Sequence, residues 1–221
     1  MSLVLELEKT LRAHANPERA RGQAAYMKHH FVFLGITTPD RRLLQRAVIL
    51  NHSMQAWGTV ATAVRALWAM EEREFQHAAI ELAIHYEKLW PQGFFLLAQR
   101  MVTTKSWWDT VDDLAANVVG PLVQRYPAVR AQVDGWVASP NLWLRRTALI
   151  YQLNYKDQTD EARLFAACRA LTHEREFFIR KAIGWALRQY ARTHPAAVRK
   201  FLRENRQTLS PLSQREAAKH L

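Results

Sequence analysis

Apolar residues recur along this chain at helical intervals. Leu3, Leu7 and Leu11 fall every four residues and predict a first amphipathic helix. Asn16-Pro17-Glu18 reads as a helix start: a capping amide, a proline at the first helical position and an acid in the first turn. Thr38-Pro39-Asp40, Pro91, Gly120-Pro121, Pro127, Pro140-Asn141, Pro195 and Pro211 punctuate the rest in the same manner. Ser213-Gln214-Arg215-Glu216 matches a capping box. Strictly alternating runs rich in Val, Ile and Thr are absent, and the glycines and prolines fall between periodic segments. The pattern predicts an all-helical chain.

Four of the periodic segments resemble one another. They are 72–86, 106–119, 141–155 and 175–190, and they align when Phe75, Trp107, Trp143 and Phe178 are placed in register. The intervals are 32, 36 and 35 residues, a length that suits two antiparallel helices and their turns. The expected architecture is an all-α, HEAT-like helical repeat solenoid with a concave basic face, forming a single domain over residues 1–221. The alternative is an irregular helical bundle whose segments share only amphipathic composition. The register, held across four units, favours the solenoid.

Helical spacing separates core from surface in two tryptophan-rich segments. Trp107, Val111 and Leu114 form a core stripe. Trp108 and Asp112 also stand one turn apart, but about 100° further round the same helix. An aromatic ring and a carboxylate therefore sit together away from the stripe, either as ordinary surface residues or as part of a site. Near the C-terminus, Ile179, Ile183, Leu187 and Tyr190 are the apolar stripe, while Lys181, Trp185, Arg188 and Arg192 form a basic ribbon. Trp185 suits a groove that holds phosphates and packs a ring on sugar or base. It also aligns with Leu114 in the repeat register, which argues for burial. Both readings stand.

Composition adds a partner class. Lys plus Arg number 31 against 20 Asp plus Glu, a net charge of +11 in 221 residues. Such an excess points to a polyanion. Cations cluster at the expected helix starts: Arg145 and Arg146, Arg180 and Lys181, Lys105 before the tryptophan helix, and Arg41, Arg42 and Arg46 after Thr38-Pro39. There, basic side chains would join free backbone N–H groups in gripping phosphates. Solvated helix faces are the plainer account of each one alone. Thr38, Arg41, Lys105, Arg145, Arg180, Lys181 and Arg188 form the expected phosphate-binding set.

Other classes are excluded or weakly supported. Eight tryptophans, nine phenylalanines and six tyrosines rule out disorder, and the single cysteine rules out a disulfide framework. That cysteine fits a reducing cytosol, and Cys168 in LFAACRAL reads as a core residue. No apolar run has transmembrane length, and acids interrupt the apolar N-terminal stretch, so neither a membrane span nor a signal peptide is expected. His77, Glu81 and His85 share a helix face, but nothing nearby in sequence supplies a fourth ligand. His29-His30 reads as a polar edge. Phosphate-binding glycine loops, nucleophile elbows and HExxH motifs are missing. No metal or cofactor is expected.

Specific strings carry a family likeness. AAYMKHHFVFLGITTPDRR (24–42), TKSWWDTVDD (104–113), SPNLWLRRTALIYQLNYK (139–156), EFFIRKAIGWALRQYA (176–191) and the closing PLSQREAAKHL resemble the bacterial AlkD family of alkylpurine DNA glycosylases. The likeness runs in order along essentially the whole chain, and WWDxVD and KAIGWxLRxY are its specific parts.

The resemblance implies cleavage of the N-glycosidic bond of cationic alkylated purines, such as 7-methylguanine and 3-methyladenine, in double-stranded DNA. By motif position it assigns Trp108 and Trp185 as the site tryptophans, Asp112 as the carboxylate, Arg146 as the arginine, and Tyr26 as a tyrosine beside DNA. It further implies that the lesion stays stacked, whereas most glycosylases flip the base. The chemistry is consistent with these residues. A cationic purine leaves without protonation, so the protein's task is to stabilise the oxocarbenium-like sugar with a carboxylate and to position water. The expected protein is a monomer in the cytoplasm, associated with the nucleoid when bound to DNA. A non-catalytic HEAT scaffold binding DNA or RNA is the alternative, and Asp112 discriminates against it, because a carboxylate facing phosphates weakens simple binding.

Overall fold

The computed structural model describes residues 2–221, without the side chain of His220. Helices and short connections make up the described residues, and no strand occurs among them. The chain divides into two compact units, Met1–Pro91 and Gln92–Leu221.

The first unit contains α1 (Leu3–Ala13), α2 (Pro17–Tyr26), α3 (Thr38–Leu50), α4 (Trp57–Ala69) and α5 (Arg73–His85). The expected helix starts hold. Ser2 and Asn16 cap α1 and α2 with side-chain oxygens, and Thr37 caps α3 one residue before the expected position. Leu3, Leu7 and Leu11 are buried, and α1 packs on α3 and α4. Val60, Val64 and Leu67 of α4 and Phe75 and Leu82 of α5 are fully buried where the two helices pack. The buried carboxylate of Glu74 accepts backbone N–H groups of Leu34, Gly35 and Ile36 at 2.9–3.2 Å, tying the extended segment before α3 to α5.

The second unit contains α6 (Phe94–Thr103), α7 (Trp108–Leu114), α8 (Gly120–Arg125), α9 (Arg130–Gly135), α10 (Leu142–Ile150), α11 (Glu161–Ala170), α12 (Phe177–Ala191), α13 (Pro195–Glu204) and α14 (Pro211–Ala217). A π-helical turn over Ala115–Val119 joins α7 to α8. Three of the similar segments become α7, α10 and α12, and these helices pack in chain order, with α14 against α12. The register has a physical counterpart: the rings of Trp107, Trp143 and Phe178 form a triangle with centroids 5.2–5.6 Å apart. The expected all-α helical repeat is thus realised.

One helix start differs from expectation. Ser213-x-x-Glu216 is not a capping box, because Ser210 caps α14 and accepts the Ser213 N–H at 3.0 Å. Ser213 lies inside the helix and donates its hydroxyl to the Arg180 carbonyl at 2.9 Å. Glu216 turns toward α12. The helices approach so closely there that a Cβ on Gly184 would stand 2.4 Å from Glu216 Cβ and 2.8 Å from the Ser213 carbonyl oxygen.

Candidate active site

The start of α7 is shaped by its flanks. Lys105 takes a left-handed backbone with φ of 48°, and the Ser106 hydroxyl donates to the Val102 carbonyl at 2.7 Å, ending α6 and turning the chain into α7. Trp107 is the extended N-cap, with its ring in the aromatic triangle, so Trp108 opens the helix in a half-buried position. Asp112 follows one turn later. Val111 and Leu114 are fully buried and fix the face on which Asp112 points away from the core.

Arg146 of α10 meets Asp112 in a two-pronged pair. Its Nε donates to Oδ1 and its Nη2 to Oδ2, each at 2.7 Å, while Nη1 donates to the Phe178 carbonyl at 2.5 Å. The guanidinium carbon lies 5.8 Å from the Phe178 ring centroid. A buried arginine therefore joins α7, α10 and α12, and its planar fork fixes the carboxylate's orientation. Burial pushes the Asp112 carboxyl above its ordinary value, Arg146 opposes this, and the neighbouring Asp109 and Asp113 add to the rise.

Trp185 stands two turns along α12 from Phe178, on the same side of the helix. It is half-buried and packed against the core that contains Ile183 and Leu187. The two sequence readings of this residue meet here: one side joins the core while part of the ring remains open.

Comparison with known proteins decides the family. A model of the DNA alkylation repair enzyme family matches residues 7–221. The chain belongs to that family. A solved structure described as a predicted DNA alkylation repair enzyme from Enterococcus faecalis is 35% identical, with a TM-score of 0.86, over 94% of this chain and 96% of that one. AlkD2 from Streptococcus mutans has 15% identity and a TM-score of 0.65, over 91% of this chain and 99% of its own. The smu.31 protein from the same organism has 14% identity and a TM-score of 0.64, with both chains covered in full. These two share the fold. No curated protein matches.

The remaining candidate residues of this DNA alkylation repair family member fall into two groups. Several cations are turned inward. Arg41 is buried, bonded to Gln45 at 3.1 Å and to Glu81 at 2.8 Å, where Arg42 also binds, so it is not available for the phosphate contact expected of it. Arg145 bonds the Ser139 carbonyl at 2.7 Å and pairs with Glu174 at 2.9 Å, while Arg180 donates to the Glu174 carbonyl at 2.9 Å. Lys181 and Arg188 converge on Glu216 at 2.9 and 2.6 Å, and Lys219 joins them at 2.8 Å. Hydrogen bonds from Lys219 and Lys181, with Arg188, outweigh burial and hold the Glu216 carboxyl down at about 2.

The other group faces solvent. Tyr26 is 71% exposed at the end of α2, and Thr38 is exposed at the start of α3. Both belong to the first unit. The weak metal alternative is not supported: Glu81 is committed to Arg41 and Arg42, and no metal-holding group of three or more His, Cys, Asp or Glu occurs among the described residues. Cys168 is fully buried, with its thiol pushed up to about 12 by burial. No described helix is long and apolar enough to cross a membrane.

Proposed function

We propose that this DNA alkylation repair enzyme is an N-glycosylase that hydrolyses the bond between deoxyribose and cationic alkylated purines, such as 7-methylguanine and 3-methyladenine, in duplex DNA. The observation that carries this reading is the half-buried Asp112 carboxylate, one turn from Trp108 and gripped on both oxygens by Arg146. A protein that only binds phosphates gains nothing from such a group.

The reaction asks little of an acid. The alkylated purine carries a positive charge, so when the C1′–N9 bond breaks its electron pair neutralises the leaving base. Positive charge then develops on the sugar, and Asp112 stabilises it electrostatically. Each carboxylate oxygen keeps a second lone pair beside the one used by Arg146. Those lone pairs can also orient water, whose oxygen bonds to C1′ while its proton passes to Asp112 or solvent, leaving an abasic sugar and free base. The fixed bidentate pair suits this electrostatic role better than covalent attack. Trp108 and Trp185 would line the sugar and favour its developing charge.

In this reading Tyr26, Thr38 and Lys105 contact the duplex directly, while Arg145, Arg180, Lys181 and Arg188 shape a basic face around the centre. The lesion remains stacked, as the family resemblance implies. The protein acts as a cytoplasmic monomer, nucleoid-associated when bound, without cofactor or metal, and residues 1–221 serve as one functional domain. The test is release of 7-methylguanine from methylated duplex DNA by wild type and Asp112→Asn. Release by wild type, with a sharp loss in the variant while DNA binding persists, supports the glycosylase. Tight, salt-dependent binding by both without release would instead identify a scaffold.

A further inference from the structure

Helix α2 is unusual among the helices of the first unit because none of its residues is buried. A helix without an apolar face gains little from the core. Hydrogen bonds hold it instead: the Asn16 N–H donates to the Leu34 carbonyl at 2.7 Å, and Gln23 Nε2 donates to the Ile36 carbonyl at 3.0 Å. Gly35, with φ of 87°, permits the approach, since a Cβ there would lie 2.0 Å from the Asn16 carbonyl oxygen. The chain thus forms a specific cradle for a helix that contributes almost nothing to the core.

The end of α2 is stranger still. The His29 N–H reaches back to the Ala24 carbonyl at 2.7 Å and the Lys28 N–H to the Ala25 carbonyl at 3.0 Å, the paired bonds of a Schellman ending. The His30 N–H closes onto the Met27 carbonyl at 3.2 Å, and both residues between have φ of 58°. Two successive left-handed residues under such a bond make a type I′ turn, whose favoured central pair is Asn-Gly. Here the pair is Lys28-His29. A non-glycine residue in this region costs stability, and strained positions persist where their side chains serve a purpose.

Those side chains point to the purpose. Lys28 and His29 are exposed, as are Tyr26 and Arg21 on the same helix. Among the described residues neither Lys28 nor Arg21 has an ion-pair partner, whereas Arg41, Arg145, Lys181 and Arg188 are engaged by carboxylates. We propose that α2 and the Met27–His30 turn form a clamp on the DNA phosphate backbone, with Lys28 and His29 kept in their left-handed conformation because their side chains grip phosphates. This rests on the reading of duplex DNA as substrate.

The Lys28→Asn/His29→Gly double variant gives the turn its favoured residues, so thermal stability should rise. Losing the lysine contact should reduce the slope of log affinity against log salt for an unmodified duplex by about 0.9, a roughly eightfold weaker affinity at 0.1 M salt relative to a 1 M reference. Lys28→Gln, which leaves the turn residue side chain long and the fold intact, should show the same change in slope. Lys200→Gln on α13 serves as the charge control and should leave the slope unchanged. Wild-type slope in both Lys28 variants overturns the clamp, as does an equal change in Lys200→Gln. Release of 7-methylguanine by the wild-type protein is measured in parallel. A clamp failure with release intact leaves the glycosylase standing, and absence of both release and duplex binding in wild type removes both.

Discussion

Arg146 and Asp112 face each other as fork and carboxylate, with both prongs at 2.7 Å, and the third arginine nitrogen is bound to a backbone carbonyl of α12. The pair thereby links the orientation of one acidic group to the packing of three helices. Arg146→Ala should lower the single-turnover rate of base release on the order of 100-fold, the scale on which a preorganised electrostatic partner acts. It should also cost about 3 kcal/mol of stability, because Asp112 would remain largely buried without its counterion. Arg146→Lys keeps the charge but loses the fork, and its rate should fall between the two. Excision by Arg146→Ala at the wild-type rate would show that Asp112 needs no such positioning.

The Asp112 carboxyl is pushed upward, so catalysis should have an acid limb above the pH of an ordinary aspartate. If Asp112 acts as proposed, base release needs the ionised group and should fall as pH drops through its raised pKa. The sign for stability is the reverse of that for a stabilising ion pair. The folded state binds this proton more tightly than the unfolded one, so ionising Asp112 costs stability as pH rises from the unfolded value through the folded one. A pH–rate profile under single-turnover conditions checks the first point, and Asp112→Asn should remove this limb from whatever activity persists. An acid limb at the same pH in both proteins would assign it elsewhere.

The helical repeat was legible because its signal is local and recurs. Leu3, Leu7 and Leu11 mark a buried stripe, and the shared register of Trp107, Trp143 and Phe178 emerges as three rings in contact. The fate of the cations was not legible, because helical spacing fixes a direction and not the partner on the next helix. Glu81 lies 40 residues from Arg41, and Glu216 lies 28 from Arg188. Ser213-x-x-Glu216 has capping-box spacing, yet the Ser210 cap and the tertiary bond from Ser213 to the Arg180 carbonyl place Ser213 inside the helix. The left-handed Lys28-His29 pair had no sequence signal, since the glycine or asparagine that usually marks such a turn is missing.

Gly184 sets the distance between α12 and α14. A methyl group there would collide with Glu216 Cβ at 2.4 Å and with backbone of α14, which cannot move aside as a side-chain tip can. Gly184→Ala should therefore destabilise the protein by about 1–3 kcal/mol despite its better helix propensity. Because Trp185 is the next residue, the rate of base release should fall as well. Urea unfolding and single-turnover excision measure the two effects, and wild-type stability would show that α14 can shift without cost.

Glu216 draws Lys181, Arg188 and Lys219 onto one buried carboxylate, which engages two cations of the Trp185 helix. Its carboxyl is held at about 2, below its ordinary 4.5, so its contribution to stability is present above the unfolded value and is lost as pH falls from about 4.5 toward 2. Glu216→Gln should therefore be less stable than wild type at pH 7, with the difference shrinking through that window. Binding should move in the opposite direction. With Lys181 and Arg188 released, affinity for duplex DNA should rise at low salt, and the salt slope should steepen by up to about two phosphate contacts. Thermal unfolding against pH and duplex binding against salt measure the two halves. An unchanged slope would mean that Lys181 and Arg188 do not reach DNA even when free, and that Glu216 serves only to fasten α14 to α12.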